Sequence, residues 1–345
     1  MIPDDLFSRL DQGDTAAVAR AITLVENQRE GFERVLDHVH GRLGRRGARR
    51  IGLTGPPGAG KSSLAERLTR HYRERELRVA VVAVDPTSPF TGGALLGDRI
   101  RMESVSLDPG VYIRSMATRG SLGGLATVTA EVCDILDAAG FDRILIETVG
   151  VGQTELDIAR TAESTVLVLV PESGDGIQAL KAGIMEVADI FVVNKADRAG
   201  ADRLRQEIEV MLGIRRGNAF RHVAAHHRPG AATPRVPEAV PGSEWEPPVL
   251  ATVATKGEGV ASLADALERH HGFLEASGRL QQGRRERLAE RTRAVVNRAL
   301  RQWIWEESAA EQTLAQGMAD MEAGRRSPYE VANEILDQVK SGATR

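Results

Sequence analysis

The 345-residue chain is 42% hydrophobic and 27% charged with a formal net charge of −3, the balance of a folded globular protein of about two domains rather than a disordered or fibrous one. That near-neutral charge supplies no global attraction to nucleic acid or to an anionic membrane. The single cysteine, Cys133, excludes an internal disulfide framework, and no apolar run approaches the roughly 20 residues of a membrane helix.

Cys133 falls in an expected helix, Leu125–Ala138, and reads there as a buried, inert thiol. The start, Met1-Ile2-Pro3-Asp4-Asp5, is acidic and lacks the basic and apolar regions of a signal peptide. With one cysteine, this points to the cytoplasm.

Residues 4–47 read as helices. Leu6 and Leu10 lead into Ala16–Glu26, and Phe32, Val35, Leu36, Val39 and Leu43 then share one face. The basic stretch Arg45–Arg50 reads as a solvated connector, with a phosphate-facing arginine as the alternative. Apolar runs follow at Ile51–Leu53, Val79–Val84, Val111–Ile113, Ile144–Val149, Val166–Val170, Ile190–Val193 and Val249–Val253. Helical segments separate most of them: Ser63–Glu76, Leu125–Ala138, Ile177–Ala188 and Ala201–Leu212. The runs are continuous rather than alternating, as in strands buried on both faces. That is the pattern of an α/β domain with a mainly parallel, doubly wound sheet.

From Arg216 to Pro248 the pattern gives way to Pro, Gly, Ala and His, a long surface loop. His222, His226 and His227 lie in it without a carboxylate or cysteine at ligand spacing, so they read as solvated. Residues 279–307 read as a charged helix with Leu288, Val295, Val296, Leu300, Trp303 and Ile304 as its apolar stripe. Trp303 and Trp305 point to packing against the core or a second subunit.

The chemistry is concentrated in three strings. Gly55-Pro56-Pro57-Gly58-Ala59-Gly60-Lys61-Ser62 is an unbroken G-x-x-x-x-G-K-S between a strand and a helix that starts at Ser63. Its glycines let backbone N–H groups cradle phosphate, Lys61 reaches the β- and γ-phosphates, and the Ser62 hydroxyl suits Mg²⁺. A chance Gly-rich turn would lack that strand-and-helix context. Asn194-Lys195-Ala196-Asp197 ends a strand as N-K-x-D. There Asp197 accepts from the guanine N1–H and N2 amine, Asn194 holds the adjoining loop and the Lys195 stem stacks on the base, which selects GTP over ATP. Glu147-Thr148-Val149-Gly150 stands where other GTPases carry Asp-x-x-Gly, with Gly150 offering an N–H to the γ-phosphate and Glu147 a carboxylate to the metal or its water. Asp85 and Asp98 are further acidic candidates; an Asp-Pro turn and a helix cap are their alternatives.

Further strings resemble the MeaB/MMAA/ArgK GTPases. These are Val84-Asp85-Pro86-Thr87-Ser88, Thr91–Met102, Ser121-Leu122-Gly123-Gly124-Leu125 and Glu147–Gln153, with Ala21–Glu26 and Ser327-Pro328-Tyr329 outside the core. The resemblance covers most of the chain. It implies a chaperone of an adenosylcobalamin-dependent acyl-CoA mutase, such as methylmalonyl-CoA mutase, with an adenosyltransferase as a further partner. Adenosylcobalamin would be met only through that partner. It places Asp85, Asp98 and Glu147 in the shell of Mg²⁺ and its water, switch I within Pro86–Met102, switch II at Gly150–Asp157 with Gln153, and switch III at Pro171–Lys181. It also implies a homodimer through a C-terminal helical arm. The expected divisions are a helical region at 1–48, a P-loop GTPase domain at 49–275 and that arm at 276–345.

Three departures stand out. The fifth GTPase motif, usually Ser-Ala-x, is Val253-Ala254-Thr255, which keeps the Ala254 N–H for guanine O6 but lacks the serine hydroxyl. The loop Arg216–Trp245 is also longer and richer in proline than the family norm. Val151 replaces the glutamine usual after the switch II glycine, so slow intrinsic hydrolysis is expected, with Lys61, Glu147 and Gln153 as the catalytic set. The alternative reading is a nickel- or zinc-delivering GTPase, which would need a Cys-rich or Cys/His motif. A kinase is less favoured, because no protein-kinase catalytic loop is present.

Overall fold

Strands that are apolar on both faces need cover on both, and the fold supplies it with helices. The computed structural model describes residues 3, 5–44, 47–85, 102–117, 124–148, 158, 160–172, 184–215 and 244–342. The chain divides into two units, Met1–Gly283 and Arg284–Arg345.

In the first unit, helices α1 (Leu6–Asp11), α2 (Thr15–Glu26) and α3 (Phe32–His40) precede β1 (Arg49–Thr54) and α4 (Lys61–Arg73). Then come β2 (Val79–Asp85), α5 (Glu103–Ser106), β3 (Val111–Ala117), α6 (Gly124–Ala138), β4 (Arg143–Thr148) and β5 (Ser164–Leu169). The unit continues through α7 (Ile184–Val187), β6 (Ile190–Asn194), α8 (Ala201–Arg215), β7 (Val249–Thr252) and α9 (Val260–Ala276). Every strand pair is parallel, in the order β3-β2-β4-β1-β5-β6-β7. The sheet is therefore wholly parallel, where the sequence suggested mainly so. The strand order reverses about β1, which lies between β4 and β5, and such a switch point opens a crevice at the carboxyl ends of the strands.

Alternate residues divide the core. Val79 and Val81 of β2 face one apolar cluster, shared with Leu64 and Leu68 of α4 and Leu263 and Leu267 of α9. Ala80, Val82 and Val84 face another, formed with Val18, Ile22 and Val25 of α2 and Ile135 and Leu136 of α6. On that same side farther along, Leu167, Phe191 and Val193 pack against Leu204 and Ile208 of α8. The amino-terminal helices thus complete a layer over the sheet. Arg78 fastens them by donating to Gly13 O at 3.0 Å, and Arg114 pairs with Glu26.

The opposite end of the sheet, where strands begin, is held by buried and half-buried polar groups. Arg50 of β1 pairs with Asp134 of α6 at 2.6 Å, and Arg49 and Arg143 both pair with Glu268 of α9. The Arg45–Arg50 stretch was expected to be a solvated connector. Its last two residues instead enter β1 and are taken up by carboxylates distant in sequence, at the end of the sheet away from the phosphate loop. His270 lies beneath Trp245, ring centroids 4.7 Å apart, with Nδ1 2.8 Å from Ser164 Oγ and Nε2 3.3 Å from Asp189 Oδ1. Burial pushes the His270 imidazole down to about 4 and the Asp189 carboxyl up to about 7. The Trp245 indole N–H donates to Asp189 O at 2.7 Å. The cluster ties β5, β6 and α9 together.

The second unit contains most of α10 (Arg279–Gln302), a π-helical turn at Trp303–Glu307, α11 (Ala310–Glu322) and α12 (Pro328–Gly342). Ala310, Val331 and Ile335 form its small buried core, with Ile304, Leu314 and Met321 against it. The Leu288, Val295, Val296 and Leu300 stripe is exposed, as is Trp305. Among the described residues, no helix is long and apolar enough to cross a membrane.

Candidate nucleotide-binding site

The carboxyl ends of β1, β4, β6 and β7 bring the sequence motifs together. Beyond Thr54 the chain turns through Gly55 at φ +136°, where a Cβ would lie 2.1 Å from Val168 O, so only glycine fits. Pro57 and Gly58 form the outer turn, and Ala59 N–H donates back to Pro56 O at 3.2 Å. Gly60, at φ +88°, starts α4, and a Cβ there would strike Asn194 Nδ2 at 2.4 Å. At these two positions a side chain would collide, and Gly58 between them, at φ +74°, adds a third left-handed residue to the loop.

Lys61 and Ser62 open α4 and are both buried, whereas Ser63 is exposed. The Lys61 ammonium is held within the loop, donating to Gly55 O at 2.7 Å and Pro56 O at 3.0 Å. Ser62 Oγ donates to Glu147 Oε1 at 2.6 Å, and Glu147 is itself buried at the end of β4. A hydroxyl and a carboxylate meeting beside a phosphate loop are the hard oxygen donors Mg²⁺ takes, so these residues fit that ion. Asp85 ends β2 next to β4, on the same edge of the sheet. Asp98, Gly150 and Gln153 lie outside the described residues, as do nearly all of the three switch segments and the histidine-bearing loop.

Asn194 joins the halves of the site. Its Nδ2 donates to Ala59 O at 2.8 Å, while its Oδ1 accepts from Thr252 Oγ1 at 3.0 Å and Ala254 N–H at 3.1 Å. One buried amide thus ties the phosphate loop to the turn after β7. Lys195 follows in the left-handed region, φ +55°, a backbone strain that functional turns often carry. Ala196 N–H then donates to Thr252 O at 3.0 Å, and exposed Asp197 stands 3.9 Å from Lys256.

Val253, Ala254 and Thr255 form the start of a tight turn closed by Val253 N–H to Glu258 O at 3.0 Å. The Ala254 N–H, expected at guanine O6, donates to Asn194, so a base contact there would share that proton. Arg67 of α4 was not singled out by any motif. It donates through Nε to Ala254 O at 3.0 Å and through Nη2 to Thr255 O. Thr252 was also missed; its hydroxyl is legible only once β6 and β7 are known to be neighbours.

A family model described as methylmalonyl Co-A mutase-associated GTPase MeaB matches residues 18–309. The chain belongs to the MeaB family of GTPases. A protein of Pyrococcus abyssi whose name describes a GTPase is 44% identical, over 98% of this chain and 97% of that one. GTPase ArgK of Escherichia coli is 36% identical over 82% and 80% of the two chains. The mitochondrial methylmalonic aciduria type A homolog of Mus musculus is also 36% identical, over 80% of this chain and 65% of its own. Among solved structures, a LAO/AO transport system kinase superposes with a TM-score of 0.67 at 26% identity, covering 99% of each chain. Membership in MeaB, a family of P-loop GTPases, implies guanine nucleotide binding with the usual Mg²⁺.

Cys133 is buried in α6, and burial pushes its thiol up to about 12. It supplies no thiolate near neutral pH. This agrees with the inert thiol expected from sequence and gives no support to metal delivery through that residue.

Proposed function

We propose that this protein is a slow GTPase whose nucleotide state governs an adenosylcobalamin-dependent acyl-CoA mutase of the methylmalonyl-CoA mutase type. The observation that supports the nucleotide part is the bridge at Asn194, whose side-chain amide is hydrogen-bonded both to the phosphate loop and to the turn after β7. The mutase part rests on the MeaB description and on the name of the mouse relative.

In this reading Gly55, Pro57, Gly58, Ala59 and Gly60 surround the phosphates with Lys61, Ser62 and Ser63, and Gly150 adds an N–H at the γ-phosphate. Asn194, Lys195 and Asp197 take the guanine with Val253, Ala254 and Thr255. Ser62 and Glu147, with Asp85 and Asp98, hold Mg²⁺ and its water shell; when bound, the ion offsets charge developing on the phosphate oxygens. Lys61 neutralises charge on the transferred group, and Glu147 and Gln153 orient the attacking water. Phosphoryl transfer of this kind depends on positioning and electrostatics more than on covalent help.

A mutase that orders the switch segments would speed hydrolysis, and the nucleotide would reciprocally alter the mutase's affinity. Loading of adenosylcobalamin, or removal of its damaged form, is then gated without cobalamin being held by this chain. The exposed stripe on α10 suits a homodimer in the cytoplasm, with 276–345 as its arm. Single-turnover GTP hydrolysis with and without the cognate mutase tests the reading. Acceleration by the mutase is expected, and an unchanged rate would remove the coupling.

A further inference from the structure

Arg67 sits less than two turns beyond Lys61 on α4, yet its head reaches the turn after β7. Nε donates to Ala254 O at 3.0 Å and Nη2 to Thr255 O. One planar guanidinium therefore grips two successive carbonyls, a fork that a lysine ammonium does not reproduce. Ala254 O also accepts from Gly257 N–H at 3.2 Å, so the grip acts on a turn that is already closed.

Peptide planarity makes this more than an anchor. In a trans peptide the carbonyl and the following N–H point in opposite directions. With Ala254 O turned toward Arg67, the Thr255 N–H points away from it. The Ala254 N–H meanwhile donates to Asn194 Oδ1. Val253 brings no hydroxyl to brace the turn. The orientation of the Thr255 amide is therefore set by Arg67 from one side and Asn194 from the other.

We propose that Arg67 is a positioning residue for guanine recognition, holding the turn so that the Thr255 N–H meets the purine 6-oxygen. This rests on the GTP reading above. It ties base selection to the helix that carries Lys61 and Ser62.

The test compares GDP with the diphosphate of 2-aminopurine riboside, which lacks the 6-oxygen, on the full chain and on Arg67→Met and Arg67→Lys. Arg67→Met is expected to weaken GDP roughly tenfold, the scale of a lost charged hydrogen bond. It should leave the 2-aminopurine nucleotide nearly unchanged, raise KM for GTP and preserve kcat. Arg67→Lys should recover part of the loss; if the Met variant fails to fold, the Lys variant carries the same comparison. Equal weakening of both nucleotides, or no weakening of GDP, overturns the proposal. Wild-type protein that binds ADP as tightly as GDP overturns the guanine reading itself, a separate outcome.

Discussion

At the scale of single residues, Asn194 and Gly60 form one device. The glycine's φ of +88° and its lack of a Cβ make room for the amide that reaches Ala59 O. Gly60→Ala should cost about 1–3 kcal/mol in urea unfolding through strain in the left-handed region and displacement of that amide. Asn194→Ala strands three buried partners and should cost about 2–4 kcal/mol. Because the two changes damage the same contact, the double variant should lose less than the sum, by at least about 0.5 kcal/mol. Strict additivity would show that the contact is not shared. Glu147→Gln removes the charge facing Ser62, and titration of Mg²⁺ should then show weaker metal dependence of GTP binding while metal-free GDP binding is kept. Lys61, Ser62 and Asn194 were legible because their motifs are contiguous in sequence. Arg67 was not, since what marks it is a contact with carbonyls 187 and 188 residues away.

At the scale of elements, Glu268 joins β1, β4 and α9 through Arg49 and Arg143. Burial would raise its carboxyl, but Arg143 and Arg49 together outweigh burial and hold it below the ordinary 4.5. As pH falls, the unfolded chain therefore takes up this proton before the folded one does. The stabilisation is present above about pH 4.5 and is lost below it. Glu268→Gln should lower the denaturation midpoint at pH 7, and its difference from wild type should shrink as pH drops through 4. A difference that stays constant with pH would exclude the ion pairs as the cause. The seven strands were readable because burial on both faces writes uninterrupted apolar runs into the sequence. Arg49 and Arg50 were misread because a local basic stretch resembles a connector, while their partners lie 219 and 84 residues away.

At the scale of the whole molecule, the chain separates into a nucleotide-binding unit and a helical unit with its own small core. A chain ending at Gly283 should keep GDP affinity and a cooperative melt and sediment as a monomer, whereas the proposed arm predicts that the full chain sediments as a dimer. Loss of nucleotide binding on truncation would show that the helical unit supports the site. The exposed stripe on α10 was visible in sequence as an apolar face; what covers it was not, since a pattern records that a surface is apolar and leaves its occupant open.

A wholly parallel sheet also gives the molecule a direction. At one edge β1, β4, β5 and β6 begin among arginines, a histidine and carboxylates that tie the strands to the helices, and at the other edge β1, β4, β6 and β7 end at the residues proposed to handle phosphate and base. Adaptation to heat or acidity can therefore proceed at one end, by exchanging Arg–carboxylate and His–Asp pairs, without disturbing turnover at the other. Relatives from hot and temperate habitats should differ most where strands start and agree most where they finish.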